Sequence, residues 1–127
     1  MRGAEEIESY LIQMETQYSS LGSDLWLVKG NGPDIVLSIA GPVLVFRIKV
    51  LELDQIPANR REELYKTLLE FNVGEMLHGS YGLEGGAIVA TSALQLENLD
   101  FNEFQASMDD IGMAVSNHYT ILSKMAA

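Results

Sequence analysis

Leu77-His78-Gly79-Ser80-Tyr81-Gly82-Leu83-Glu84-Gly85-Gly86-Ala87-Ile88-Val89-Ala90 reads as two strands folded back on a tight turn. Glu84-Gly85-Gly86 supplies the turn, because paired glycines accept the positive φ angles that short hairpins impose. The spacing predicts strands near Leu77–Leu83 and Ala87–Leu96. Immediately upstream the period changes to that of a helix, with Leu64, Leu68 and Phe71 as an inner stripe. Tyr65 and Leu69 widen that stripe beyond what packing on a sheet requires, while Arg60, Arg61, Glu63, Lys66 and Glu70 form a charged back. Asn59 with Glu62 is a capping-box pattern, so the helix is expected from about Arg60 to Phe71, closed by Asn72-Val73-Gly74.

Further towards the N-terminus the period is two. Phe46, Ile48 and Val50 alternate with Arg47 and Lys49 in a strand from Val43 to Leu53, and Ile35–Ile39 and Leu25–Val28 make two more. Lys29-Gly30-Asn31-Gly32-Pro33 is the hairpin turn between them. Ile7, Tyr10, Leu11, Met14 and Tyr18 share one helical face, predicting a first helix that ends near Ser19-Ser20-Leu21-Gly22. Beyond the glycine hairpin, Asp100 with Glu103 opens a last helix whose Phe104, Met108, Ile111, Val115 and Leu122 repeat at helical spacing. The expected order is α-β-β-β-α-β-β-α, an α+β fold with a five-stranded, mainly antiparallel sheet in a single domain over residues 1–127.

Composition narrows the function. The chain has 127 residues, no cysteine, and 18 acidic against 8 basic residues, for a net charge of −10. Such a balance repels phosphate backbones and anionic headgroups, which argues against nucleic acid and membrane surfaces as partners. No apolar run approaches the roughly 18 residues of a membrane span and no secretory leader is legible, so a cytoplasmic location is expected.

Catalytic patterns fail one after another. Gly30-Asn31-Gly32 is followed by Pro33 and Asp34 where a phosphate loop would open a helix. His78-Gly79-Ser80-Tyr81-Gly82 has His where a nucleophile elbow needs Gly, and lies between a helix and a hairpin. His78 and His118 lack a third ligand at metal spacing and read as surface or boundary residues. Adjacent carboxylates such as Asp109-Asp110 point about 100° apart on a helix and cannot share a proton. The expectation is a protein that is not an enzyme and takes no metal or cofactor.

What remains is surplus apolar surface. Leu25, Trp26, Leu27 and Val28 are all apolar, so both faces of that strand carry apolar side chains, and Trp26 is either core or the anchor of a recognition surface. Val45 and Leu51 lie in register with Arg47 and Lys49 on a mixed face. The methionines carry the same two readings, core filler or adaptable contact surface.

Leu68-Leu69-Glu70-Phe71-Asn72, followed by Gly79-Ser80-Tyr81-Gly82-Leu83-Glu84-Gly85-Gly86-Ala87-Ile88-Val89 and by the Leu99-Asp100 step, resembles the type III secretion chaperone family, class I or Tir-chaperone-like, and its YbjN-like relatives. The resemblance covers about residues 4–124 and rests on packing and turn motifs. It implies a homodimer whose middle helix, Asn59 to Asn72, contributes Leu64, Tyr65, Leu68 and Leu69 to the interface. It also implies a non-catalytic chaperone or adaptor that holds an extended segment of a client or effector protein on apolar patches and at a sheet edge. Tyr10, Met14, Trp26, Val28, Val45 and Leu51 are the expected partner contacts, taken from the faces left outward by this arithmetic. The YbjN-like branch implies an alternative, a sensory or stress regulatory domain acting through protein–protein interaction.

Overall fold

The computed structural model describes residues 3–30 and 32–126, so Asn31 of the expected turn and the terminal Met1, Arg2 and Ala127 lie outside the described residues. Its frame is a six-stranded antiparallel sheet in the order β1-β2-β3-β4-β6-β5. The strands are β1 (Gln17–Gly22), β2 (Leu25–Lys29), β3 (Ile35–Ala40), β4 (Val43–Glu52), β5 (Ser80–Glu84) and β6 (Ala87–Gln95). Helices α1 (Ala4–Gln13), α2 (Arg61–Gly74) and α3 (Phe101–Leu122) contribute their buried side chains to the core cluster that the sheet's inward residues form.

The α+β architecture stands, with one strand more than the expected five. The extra strand is β1, assigned from the sequence to the end of the first helix. The helix stops at Gln13 because Glu15 turns left-handed, φ +57°, and its N–H closes the turn on the Ile12 carbonyl. Tyr18 then reaches the core from a strand, and its spacing from Leu11 and Met14 imitates a helix by coincidence. Most of β1 is exposed and polar, so it lacks the apolar alternation that announces a strand; a register shift between Ser20 and Gly22 breaks its pairing with β2.

The glycine hairpin forms as expected, with Gly85 and Gly86 at φ +56° and +79° between β5 and β6. So does the cap on α3, where Asp100 Oδ1 accepts from the Glu103 amide at 2.8 Å. Its stripe of Phe104, Met108, Ile111, Val115 and Leu122 is buried. The Asn59–Glu62 capping box does not form. A 3₁₀ turn over Ala58–Arg60 leads into α2, and the Arg61 guanidinium ties the preceding segment by donating to the carbonyls of Ile56 and Leu53.

Candidate interaction surfaces

The strand register decides which side chains face inward. Trp26 pairs with Leu37, Leu37 with Phe46, and Ile48 with Ala90, so these residues lie on the helix-covered face with Val28 and Ile35. Trp26 is fully buried, and its indole N–H donates to Glu8 at 3.0 Å. Tyr10 is buried too, its hydroxyl donating to the Leu99 carbonyl at 3.0 Å. Leu51 is buried because a bulge between Lys49 and Leu51 leaves Val50 without a partner on β6 and moves Leu51 to the inner face. The outward placement of Tyr10, Trp26, Val28 and Leu51 is therefore corrected: all of them are core. Val45 is half-buried on the open face of the sheet, opposite Ser38 and Ala93. Leu25, Leu27 and Val36 belong to that face as well, the residues that the choice of Trp26 and Val28 displaced. Two of its cations are paired, Arg47 with Glu84 and Lys49 with Glu52.

The middle helix divides as its width suggested. Leu64 and Leu68 pack in the chain's own core, whereas Tyr65, Leu69 and Val73 follow one another every fourth residue on the outer side. Val73 is 92% exposed and Leu69 65%. Of the four expected interface residues, Tyr65 and Leu69 are thus exposed, and Leu64 and Leu68 are buried within the chain.

Met14, half-buried, lines a groove of about 730 Å³ between the end of α1, the β2–β3 turn and α3. Val28, Ile35 and Met108 also line it, as do the exposed Met113, Glu15 and Asp109.

Both histidines are held by carboxylates. His78 pairs with Asp110 at 2.6 Å on the surface. His118 is not a boundary residue but buried, stacked on Phe71 at 3.8 Å between centroids. The Tyr81 hydroxyl lies 2.7 Å from Nδ1, and Glu75 lies 3.0 Å from Nε2. One neutral tautomer satisfies both contacts, with Nδ1 accepting from the phenol and Nε2–H donating to the carboxylate. The signal was present in the sequence, since His118 falls between Val115 and Leu122 on the buried stripe of α3. This clasp joins α2, β5 and α3, and its residues do not line the groove beside Met14. Among the described residues no cluster of His, Asp and Glu is placed to hold a metal ion.

Burial, followed by the nearby Glu75 charge, pushes the Tyr81 phenol above its ordinary value of about 10. The unfolded chain ionises this tyrosine first, so the contribution is complete below pH 10 and declines as pH rises beyond it. Stability measured by urea titration across the alkaline range is expected to fall more gently in Tyr81→Phe than in the parent. Parallel alkaline limbs would show that the phenol is not protected.

Asn72 completes the junction. Its side chain accepts from the Tyr81 amide at 2.7 Å and donates to the Tyr81 carbonyl at 3.2 Å, pairing the end of α2 with strand β5 as a strand would. The Leu-Leu-x-x-Asn ending of the middle helix thus has a structural purpose.

Comparison with solved structures places this fold. The chain is similar to a chain of the ExoU–SpcU heterodimeric complex from the type III secretion system of Pseudomonas aeruginosa, at TM-score 0.71 and 14% identity, covering 94% of this chain and 97% of that one. It is similar to YbjN from E. coli at TM-score 0.68 and 12% identity, covering 93% and 92%. A chain of the HopA1–SchA chaperone–effector complex matches at TM-score 0.62 and 15% identity, over 84% of each chain. No curated protein sequence matches the chain. No described helix is long and apolar enough to cross a membrane. The CesT_Tir_1 family model matches residues 1–127, and with the fold in agreement the chain belongs to the CesT_Tir_1 family.

Proposed function

We propose that this protein is a non-catalytic, cytoplasmic chaperone or adaptor that acts as a homodimer and holds an extended segment of a client protein on apolar surface. The observation that carries the reading is apolar surface beyond a complete core. Leu69, Val73, Leu77, Leu83 and Met113 all stand more than half exposed, and the open sheet face adds Leu25, Leu27, Val36 and Val45. Soluble monomers seldom leave contiguous apolar areas open, and such areas mark contact sites. The family and the chaperone–effector complexes among the structural neighbours support a partner-binding role. Val45 and Met14 remain contact candidates, since both border open surface.

The dimer is assigned to the α2 stripe. Leu69→Glu, at a position 65% exposed, is expected to change folding stability by no more than about 0.5 kcal/mol and to give a monomer by size-exclusion with light scattering. A parent protein that is itself monomeric, or an unchanged mass in the variant, would remove α2 from the interface. Client binding is tested by selecting a random peptide library on the immobilised protein. Enrichment of extended, apolar-anchored sequences supports the function, and failure to enrich any sequence counts against it. The likeness to YbjN carries a second reading, a regulatory domain that contacts a folded partner. That domain has no use for an extended segment, so the same selection separates the two.

A further inference from the structure

Two residues in this chain are poor local choices, and both line the same groove. Glu15 follows α1 with a left-handed φ of +57°, a position where glycine is the ordinary residue. Gly112 lies inside α3, where glycine weakens a helix relative to alanine, and a Cβ built on it would meet nothing within 4 Å. Packing therefore does not demand Gly112, and backbone geometry does not favour Glu15. Each makes sense for the space between them. The missing side chain at 112 leaves space in the groove, and the exposed Glu15 brings a carboxylate to its lining.

The rest of the lining specifies what would enter. Val28, Ile35 and Met108 are buried apolar side chains, while Met14 and Met113 add flexible thioether walls that adapt to varied apolar shapes. Glu15 and Asp109 are exposed at the edge and have no ion-pair partner among the described residues. Lys29 is the one Lys or Arg among the described lining residues. With the chain's net charge of −10, the field at this opening draws in cations.

We propose that this groove receives a basic, apolar segment of a partner polypeptide, long apolar side chains entering between the methionines and a lysine or arginine meeting Glu15 and Asp109. The assignment rests on the client-binding function above and adds the chemistry and the seat of the bound segment. It also explains two residues that folding alone leaves unexplained, in the way that local inconsistencies gather at working sites.

The test uses the full chain and short synthetic peptides of leucine with lysine, leucine with glutamine, and leucine with glutamate, titrated by calorimetry. The leucine–lysine peptide is expected to bind about tenfold more tightly than the leucine–glutamine one, and the leucine–glutamate peptide weakest. Gly112→Leu fills the groove without changing charge and is expected to weaken leucine–lysine binding by about tenfold or more. Glu15→Gly should weaken it about three- to fivefold, and the remote control Glu62→Gln, with the same loss of charge, by much less. Neither groove variant should melt below the parent, because each installs the residue that the local backbone prefers. Equal affinity for the lysine and glutamine peptides overturns the proposal, as does Gly112→Leu binding like the parent. Library peptides that bind Gly112→Leu and Glu15→Gly as tightly as the parent would leave the client-binding function standing and sink this assignment alone.

Discussion

Trp26→Ala is expected to lower unfolding free energy by about 3–5 kcal/mol, as complete truncation of a buried aromatic does. Trp26 is fully buried, flanked across the strands by Leu37 and then Phe46, and its indole bonds Glu8 on α1. Removal opens a cavity under the first helix and leaves the Glu8 carboxylate without its donor. Domains are stable by about 5–15 kcal/mol, so a large part of the margin disappears. Urea unfolding followed by far-ultraviolet circular dichroism measures this directly. Were Trp26 the exposed anchor of a recognition surface, the same substitution would leave the midpoint near that of the parent and alter only binding.

Gly79→Ala should destabilise the chain by about 1–3 kcal/mol, towards the upper end of what overpacking costs. A Cβ at Gly79 would overlap the Thr91 carbonyl oxygen and sit 3.3 Å from the Ser92 side chain. The obstacle is chiefly backbone of β6, which cannot step aside without shifting the strand that pairs with β4. Gly82, three residues on, is the internal control. A Cβ there meets nothing within 4 Å, so Gly82→Ala should move stability by less than about 0.5 kcal/mol. Thermal melts of the two variants separate a glycine needed for close approach from one that merely tolerates solvent. Equal melts would show that the segment before β5 relaxes freely.

These two residues also show where a linear reading succeeds and fails. The Gly79-Ser80-Tyr81-Gly82 block marked the family correctly, yet nothing in its spacing distinguishes the crowded glycine from the open one, because the crowding comes from Thr91 on another strand. Trp26 lies on a strand apolar on both faces, so alternation is silent about which face turns inward, and pairing with Leu37 decides it. Leu51 is displaced by a bulge that no local pattern announces. His118 is the opposite case. Its place on the α3 stripe was visible, but its partners Tyr81 and Glu75 lie 37 and 43 residues away along the chain.

By itself the sequence determined what local geometry can decide: the Gly85-Gly86 turn, the Asp100 cap, the stripe of α3, the unused apolar width of α2, and through their order the family. Turns, caps and helical stripes depend on residues a few positions apart, and these carry their own signal. Only the tertiary structure decided that β1 is a strand, that Trp26, Val28 and Leu51 belong to the core, and that Glu15 and Gly112 face one groove. Each of those outcomes is set by pairing or packing between segments distant in the chain, where a shift of one residue exchanges the inner face for the outer.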